Sequence, residues 1–356
     1  MSSTNVLLLN IAVDKSNVSL GFTHSWINEF SKHYDFVDVV TLNKKDDLKL
    51  KNVNVFGLTS SDSPKKINKL IKLKKIVREL TYIKKYDLVF SHMSPILLII
   101  AKLFNRNKSS LHVLWYTHPM PDNFLKKLIL YISLYFSDKV VTASNTSFPI
   151  NSQKVSQIGH AIDYEKFYLK RSSISISKLL ILSRISESKN IDFIIEEFLS
   201  SQLNHLTLDI IGDCLTTKDY EYKKFLENKY AKNENINFIG KIDHQNLSST
   251  LKNYDIHISA TTEGFYDKSV LETMANGIIN FYCNSDYSKH FSKEYQELLQ
   301  FKLIKNSLTK QLNKVNCIEN GFLSTMVAEV QKNANKESLN SIIYRINDSI
   351  QSQSTK

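Results

Sequence analysis

Residues 255–283 read DIHISATTEGFYDKSVLETMANGIINFYC, and this stretch decides the fold. A short β-branched run (255–260) leads into a turn with Gly264, then an amphipathic segment (269–276). After Gly277 a second apolar run follows (278–283). Two near-continuous apolar strands joined by one helix fit a βαβ unit, whose parallel strands are buried on both faces. The same rhythm extends outward. Strands are expected upstream at 178–183, 206–212 and 236–240, with helices at 190–200, 218–231 and 244–252. The first half repeats it, with strands at 6–13, 36–42, 53–58, 87–92, 111–117 and 139–144. Its helices are expected at 21–33, 64–85, 94–105 and 121–136. Each half alone makes one domain, so the expected fold is α/β: two Rossmann-like doubly wound domains facing across a cleft. The expected boundaries are 1–170 and 171–336, with RSSISIS (171–177) as linker and 337–356 as a C-terminal helix and tail.

Composition agrees with two full-sized cores. The 356 residues are 42% hydrophobic and 23% charged, with 8 Gly and 5 Pro, which excludes a disordered chain, a collagen or a linker. Three cysteines (Cys214, Cys283, Cys317) cannot pair completely and lack metal-ligand spacing, pointing to a reducing compartment. The apolar run VLLLNIAV (6–13) has no basic residue before it and is too short to span a bilayer. A cytoplasmic protein is expected.

Charge divides the chain unevenly. Residues 1–170 carry 24 Lys and Arg against 13 Asp and Glu, whereas 171–356 carry 22 of each. The basic half suits an anionic partner, unless an AT-rich coding bias explains its lysines. Within it, PKKINKLIKLKKIVRELTYIKK (64–85) reads as a cationic amphipathic helix whose apolar stripe is core and whose lysines face an anionic membrane surface. That places the protein at the inner face of the cytoplasmic membrane, in peripheral contact. Nucleic acid is not expected, because no basic–aromatic recognition motif appears.

Two segments carry chemistry. In EGFYDKSVLE (263–272), Gly264 permits a tight turn, and N–H groups near Lys268 and Ser269 open a helix that can hold an anion. Glu272, one turn in, suits a ribose diol. In LSRISESKN (182–190), Arg184 and Lys189 flank a helix start capped by Ser186 or Ser188, which makes a diphosphate site. Gly212 ends the strand LDII at the same rim.

Taken together, these residues resemble the GT-B retaining glycosyltransferases of the "group 1" (glycosyltransferase family four) class, over nearly the whole chain. The marks are SR-x4-K (183–189), DIIG (209–212), NFIG (237–240), YDIHISAT (254–261) and GFYDKSVLE with its A-x-G. In the first half they are LGFTHSW (20–26), YDLVFSHM (86–93), WYTHP (115–119), DKVVTAS (138–144) and IGHAID (158–163). The resemblance implies an N-terminal acceptor domain, a C-terminal nucleotide-sugar domain and a last helix packing back towards the first. It implies a hexosyltransferase using a UDP- or GDP-linked donor and a glycan or lipid-linked acceptor, with no cofactor and no metal. Arg184 and Lys189 would hold the diphosphate and Glu272 the ribose, with Gly212, Gly264, Phe265, Lys268 and Ser269 around the donor. Gly21 would admit the first loop to the phosphates, and His118 and Glu263 would meet the transferred sugar. His92 and His160 also match family positions and rank below His118. One departure stands out: Glu263 and Glu272 are nine positions apart, whereas the family spaces its two glutamates eight apart. That keeps a non-catalytic partner subunit open as an alternative. A sugar-nucleotide epimerase is the other, although no paired acid–base groups support it.

Overall fold

The computed structural model describes residues 4–14, 23–57, 66–171, 175–201, 203, 205–315 and 317–354. Two compact units are present, one comprising Met1–His160 with Leu339–Lys356 and the other Ala161–Ser338.

The first unit holds a parallel seven-stranded sheet. Its strands are β1 (Asn5–Val13), β2 (Phe36–Lys44), β3 (Val53–Gly57), β4 (Leu88–His92), β5 (Leu111–Trp115), β6 (Lys139–Thr142) and β7 (Val155–Gln157). They lie in the order β3-β2-β1-β4-β5-β6-β7. The run VLLLNIAV is thus an interior strand, paired to β2 and β4, which explains its nearly continuous apolar character. Helices α1 (Thr23–His33), α2 (Lys66–Ile83), α3 (Pro95–Phe104) and α4 (Phe124–Phe136) connect the strands. Leu73 and Val77 of α2 pack with Leu7, Leu9, Val40 and Val89 of the sheet and with Leu97 and Ala101 of α3. Leu73 and Val77 of the cationic helix's apolar stripe are therefore core, whereas Ile71 is exposed.

The second unit begins with α5 (Tyr164–Phe167) and holds β8 (Lys178–Leu182), α6 (Ile191–Leu199), β9 (Thr207–Ile211), α7 (Thr217–Lys229) and β10 (Ile236–Gly240). It continues through α8 (His244–Leu251), β11 (Ile256–Ser259), α9 (Lys268–Ala275), β12 (Ile279–Tyr282), α10 (Lys293–Leu299), α11 (Ser307–Val315) and α12 (Asn320–Asn335). Its five parallel strands run β10-β9-β8-β11-β12. A buried polar group fastens α9 to the sheet: Thr273 Oγ1 donates to Asn280 Oδ1 at 2.7 Å, and His257 Nδ1 lies 2.8 Å from the same oxygen. Burial pushes His257 down to about 4, so its imidazole is neutral.

Residues 161–171 are built into this second unit. Asn276 Nδ2 donates to Phe167 O at 3.0 Å, Gln331 Nε2 to Leu169 O at 2.9 Å, and Arg171 Nε to Asn276 O at 3.1 Å. The Arg171 bond satisfies a carbonyl at the C-terminal end of α9, the other two satisfy carbonyls of 161–171, and the division between the units falls at 160/161 rather than at 170/171. At the other end, Glu337 O accepts from Ile162 N at 3.0 Å, and Ile162 bridges Ser338 in parallel. The segments by which the chain enters and leaves the unit are thus paired. Helix α13 (Ile342–Ser354) belongs to the first unit, where Ile342, Ile343 and Ile346 are buried and Tyr344 meets the His33 ring edge-on at 5.1 Å. No helix of the described residues is long and apolar enough to cross a membrane.

Candidate functional site

The strand order of the second unit reverses between β8 and β11, and open α/β sheets offer ligand sites outside the strand carboxyl ends at such a point. Two loops meet there. Asn190, held at φ 49°, donates its Nδ2 to Ala260 O at 2.8 Å and ties the β8–α6 loop to the β11–α9 loop. Lys189 Nζ donates to Asp267 Oδ2 at 2.6 Å, and Thr261 Oγ1 donates to the same oxygen at 2.8 Å. Lys189 is only 8% exposed, and an ammonium so buried needs the carboxylate partner it has. Its Nζ also sits 5.6 Å from the Phe265 ring centroid, within cation–π range. Asp267 is the N-cap residue of α9, yet its side chain caps no helix N–H and turns to Lys189.

Helix α9 brings the remaining groups. Glu272 is buried, with Oε1 3.5 Å from His244 Nε2 at the start of α8. Lys166 Nζ lies 3.0 Å from His244 Nδ1, and the His244 ring stands edge-on to Phe167 at 5.5 Å. Burial lowers the Lys166 ammonium, opposed by the Asp163 and Glu272 carboxylates. Burial likewise pushes Lys268 down to about 8, opposed by Glu272. The rim therefore presents a fixed ammonium, a second one that titrates in the neutral-to-basic range, a helix N-terminus and a hydrogen-bond-accepting carboxylate. Such a set matches an anionic group joined to a diol.

Two glycines shape the rim for different reasons. Gly264 has φ +90°, which the turn before Phe265 requires. A Cβ at Gly212 would lie 1.8 Å from Ser183 O, so the end of β9 passes hard against the backbone that presents Arg184. Arg184 itself is exposed, and Ser269 is half-buried with its carbonyl oxygen 2.9 Å from Thr273 Oγ1. Glu263 is exposed and accepts from Ser285 Oγ at 3.1 Å.

Among the expected site residues, Lys189 and Phe265 are brought into contact, and Lys268 and Glu272 share the first turns of α9. His118 lies in the first unit, exposed in the segment after β5, with its ring edge-on to Tyr116 at 6.0 Å. His92 and His160 are buried and both approach Trp115, at ring-centroid distances of 6.4 and 5.8 Å. Gly21 falls outside the described residues. The expected serine caps are replaced: a 3-10 turn (Glu187–Lys189) precedes α6, Asn190 takes its N-cap position, and Ser186 and Ser188 bond each other at 3.0 Å. Asp267, Thr261, His244 and Lys166 escaped the sequence reading. An Asp before a helix reads as a cap, and nothing local links it to a lysine 78 positions away.

The chain matches the family model "Glycosyl transferase 4-like" over residues 15–144 and "Glycosyl transferases group 1" over residues 176–315. It is 31% identical over 102 residues to the GtfA subunit of the Streptococcus agalactiae UDP-N-acetylglucosamine–peptide N-acetylglucosaminyltransferase. That match spans 28% of this chain and 19% of the streptococcal protein. Anabaena HepE in complex with UDP has the same fold, with a TM-score of 0.71 at 15% identity, covering 98% of this chain and 100% of that one. Sucrose-phosphate synthase from Thermosynechococcus elongatus gives 0.75 at 12% identity, covering 99% of each chain.

Proposed function

Because the chain belongs to the group 1 glycosyltransferases and has their GT-B fold, we propose that it moves a hexosyl group from a UDP-sugar to a glycan or lipid-linked acceptor, with retention and without a metal. The observation that carries this is Lys189, buried and held by Asp267 and Thr261 at the strand-order reversal, beside the helix bearing Glu272. Breaking a nucleotide–sugar bond develops negative charge on the diphosphate. Preorganised cations and helix N–H groups stabilise that charge without reorganising at the moment of reaction. In this reading Lys189, with Arg184 and Lys268, receives the leaving group, Glu272 accepts from the ribose hydroxyls, and His118 bonds the sugar. A uridine nucleotide is supported by the UDP bound to HepE and by the donor in the streptococcal protein's name. A non-catalytic partner subunit is the second reading, favoured by the nine-residue glutamate spacing and by that relative being named a subunit.

The test is nucleotide release from a panel of UDP- and GDP-hexoses, with glycan and lipid-linked acceptors, before and after EDTA. We expect acceptor-dependent UDP release that EDTA leaves unchanged, and an anomeric NMR signal retaining the donor configuration. His118→Ala should lower kcat by on the order of 100-fold while leaving UDP affinity intact. UDP binding without turnover on any acceptor would favour the partner subunit, and activity restored only by Mg²⁺ or Mn²⁺ would overturn the metal-free site.

The proposal includes peripheral contact with the inner face of the cytoplasmic membrane. Besides the lysines of α2, it is supported by α4, where Phe124, Leu128, Tyr131 and Tyr135 recur on one face and all are exposed, Phe124 to 80%. An apolar line on a basic unit suits an anionic lipid surface. Sedimentation with anionic vesicles at low salt should deplete the protein from the supernatant, and Phe124→Ser with Tyr135→Ser should abolish this. Equal recovery with neutral and anionic vesicles would remove the membrane from the proposal.

A further inference from the structure

Between Phe265 and Asp267 stands Tyr266, a buried side chain whose hydroxyl leads away from the rim. It donates to Glu337 Oε1 at 2.9 Å and lies 2.7 Å from His290 Nε2. Lys289 Nζ reaches the same Glu337 oxygen at 2.6 Å, and His290 Nε2 approaches it to 3.2 Å. Burial alone would raise the Glu337 carboxyl, but the His290 hydrogen bond and the Lys289 charge hold it well below the usual carboxylate range. The Tyr266 ring stacks on Tyr287 at 4.6 Å, and the Tyr287 hydroxyl takes the Asp267 N–H at 2.6 Å. Asn333 Nδ2 donates to His290 O at 3.0 Å, fastening the group to α12. Packing alone would be met by phenylalanine and an apolar partner, since a buried charge is costly to keep.

We infer that Glu337 is a positioning residue for the Phe265–Asp267 loop: through Tyr266 and Tyr287 it sets Asp267, and hence Lys189, against the paired segments where the chain enters and leaves the second unit. The pairing is direct, because the same Glu337 accepts Ile162 N–H on its backbone oxygen. This rests on the reading above, in which that loop holds the nucleotide sugar.

Two measurements on the full chain test it: calorimetry with UDP, and amide hydrogen exchange of peptides covering Ile162 and Ser338 with and without UDP. Tyr266→Phe, Glu337→Gln and the double variant are compared with wild type. Each single variant should weaken UDP binding on the order of tenfold, the scale of outer-shell partners elsewhere. The double variant should be no weaker than either single one, since both break one chain of contacts. UDP should slow exchange at Ile162 in wild type and not in Tyr266→Phe, a readout that loss of stability alone would not produce. Tyr266→Phe loses one oxygen and keeps the ring stack, so it carries the test if Glu337→Gln does not fold. Wild-type affinity and wild-type UDP protection in Tyr266→Phe would overturn the positioning role while leaving the functional reading intact. If wild type binds no nucleotide, the functional reading fails first and this inference with it.

Discussion

Lys189→Ala is expected to reduce sugar transfer by on the order of 10²–10³-fold, the usual effect of deleting one fixed donor aimed at developing charge. UDP affinity should fall by on the order of 10- to 100-fold, as for a lost hydrogen bond to a charged group. Two effects act together. The diphosphate loses its buried cation, and Asp267, now without its 2.6 Å partner, presents an uncompensated carboxylate to it. Adding Asp267→Asn should therefore restore part of the UDP affinity, and uridine should bind all of these variants alike. The remaining affinity should depend on Lys268. Its ammonium, lowered by burial to about 8, is charged at pH 7 and mostly neutral at pH 9 in the free protein. A bound diphosphate favours the protonated form, so binding takes up a proton and weakens as pH rises, by roughly tenfold over that interval. Lys268→Arg should remove this slope, because a guanidinium stays charged throughout. Calorimetry showing equal UDP affinity in wild type and Lys189→Ala would dismiss the rim as a diphosphate site.

Gly212→Ala should be the most damaging single-atom addition in the second unit. The new Cβ would sit 1.8 Å from Ser183 O and 2.9 Å from its carbonyl carbon. Backbone cannot rotate aside as a side chain can, so the ends of β8 and β9 must separate. Overpacking of that kind costs about 3 kcal/mol or more. Gly240→Ala is the control, because Gly240 has φ +83° and open space around its Cβ position. There only the left-handed backbone is penalised, by about 1–2 kcal/mol. Thermal melts followed by circular dichroism should rank Gly212→Ala well below Gly240→Ala. The reverse order would show that the strand ends are not in the tight contact described.

The strands were legible because parallel strands buried on both faces are nearly continuous apolar runs, as in LLIL of β8. The edge strand β7 was not, since Val155–Gln157 is three residues long and partly exposed. Candidate residues could be named from sequence where one loop carries its own chemistry, as with Lys189 ahead of α6 and Glu272 within α9. What sequence could not reveal is pairing at a distance. Asp267 meets Lys189 across 78 positions, and Tyr266 meets Glu337 across 71. Glu337 was expected to open a final helix, but its carboxylate is drawn into the second unit by Lys289 and His290, and α13 starts at Ile342.

The discontinuous first unit has a consequence for how the protein is made. Ile342, Ile343 and Ile346 are among its buried residues, and Arg345 donates to Ile158 O, 187 positions earlier in the chain. Synthesis runs from the N-terminus, so the ribosome must finish every residue of Ala161–Ser338 before these can be supplied. The nascent seven-stranded sheet waits, lacking part of its apolar cover, while the second unit emerges and folds. The first unit is therefore the last to be completed, although it is the first to be written.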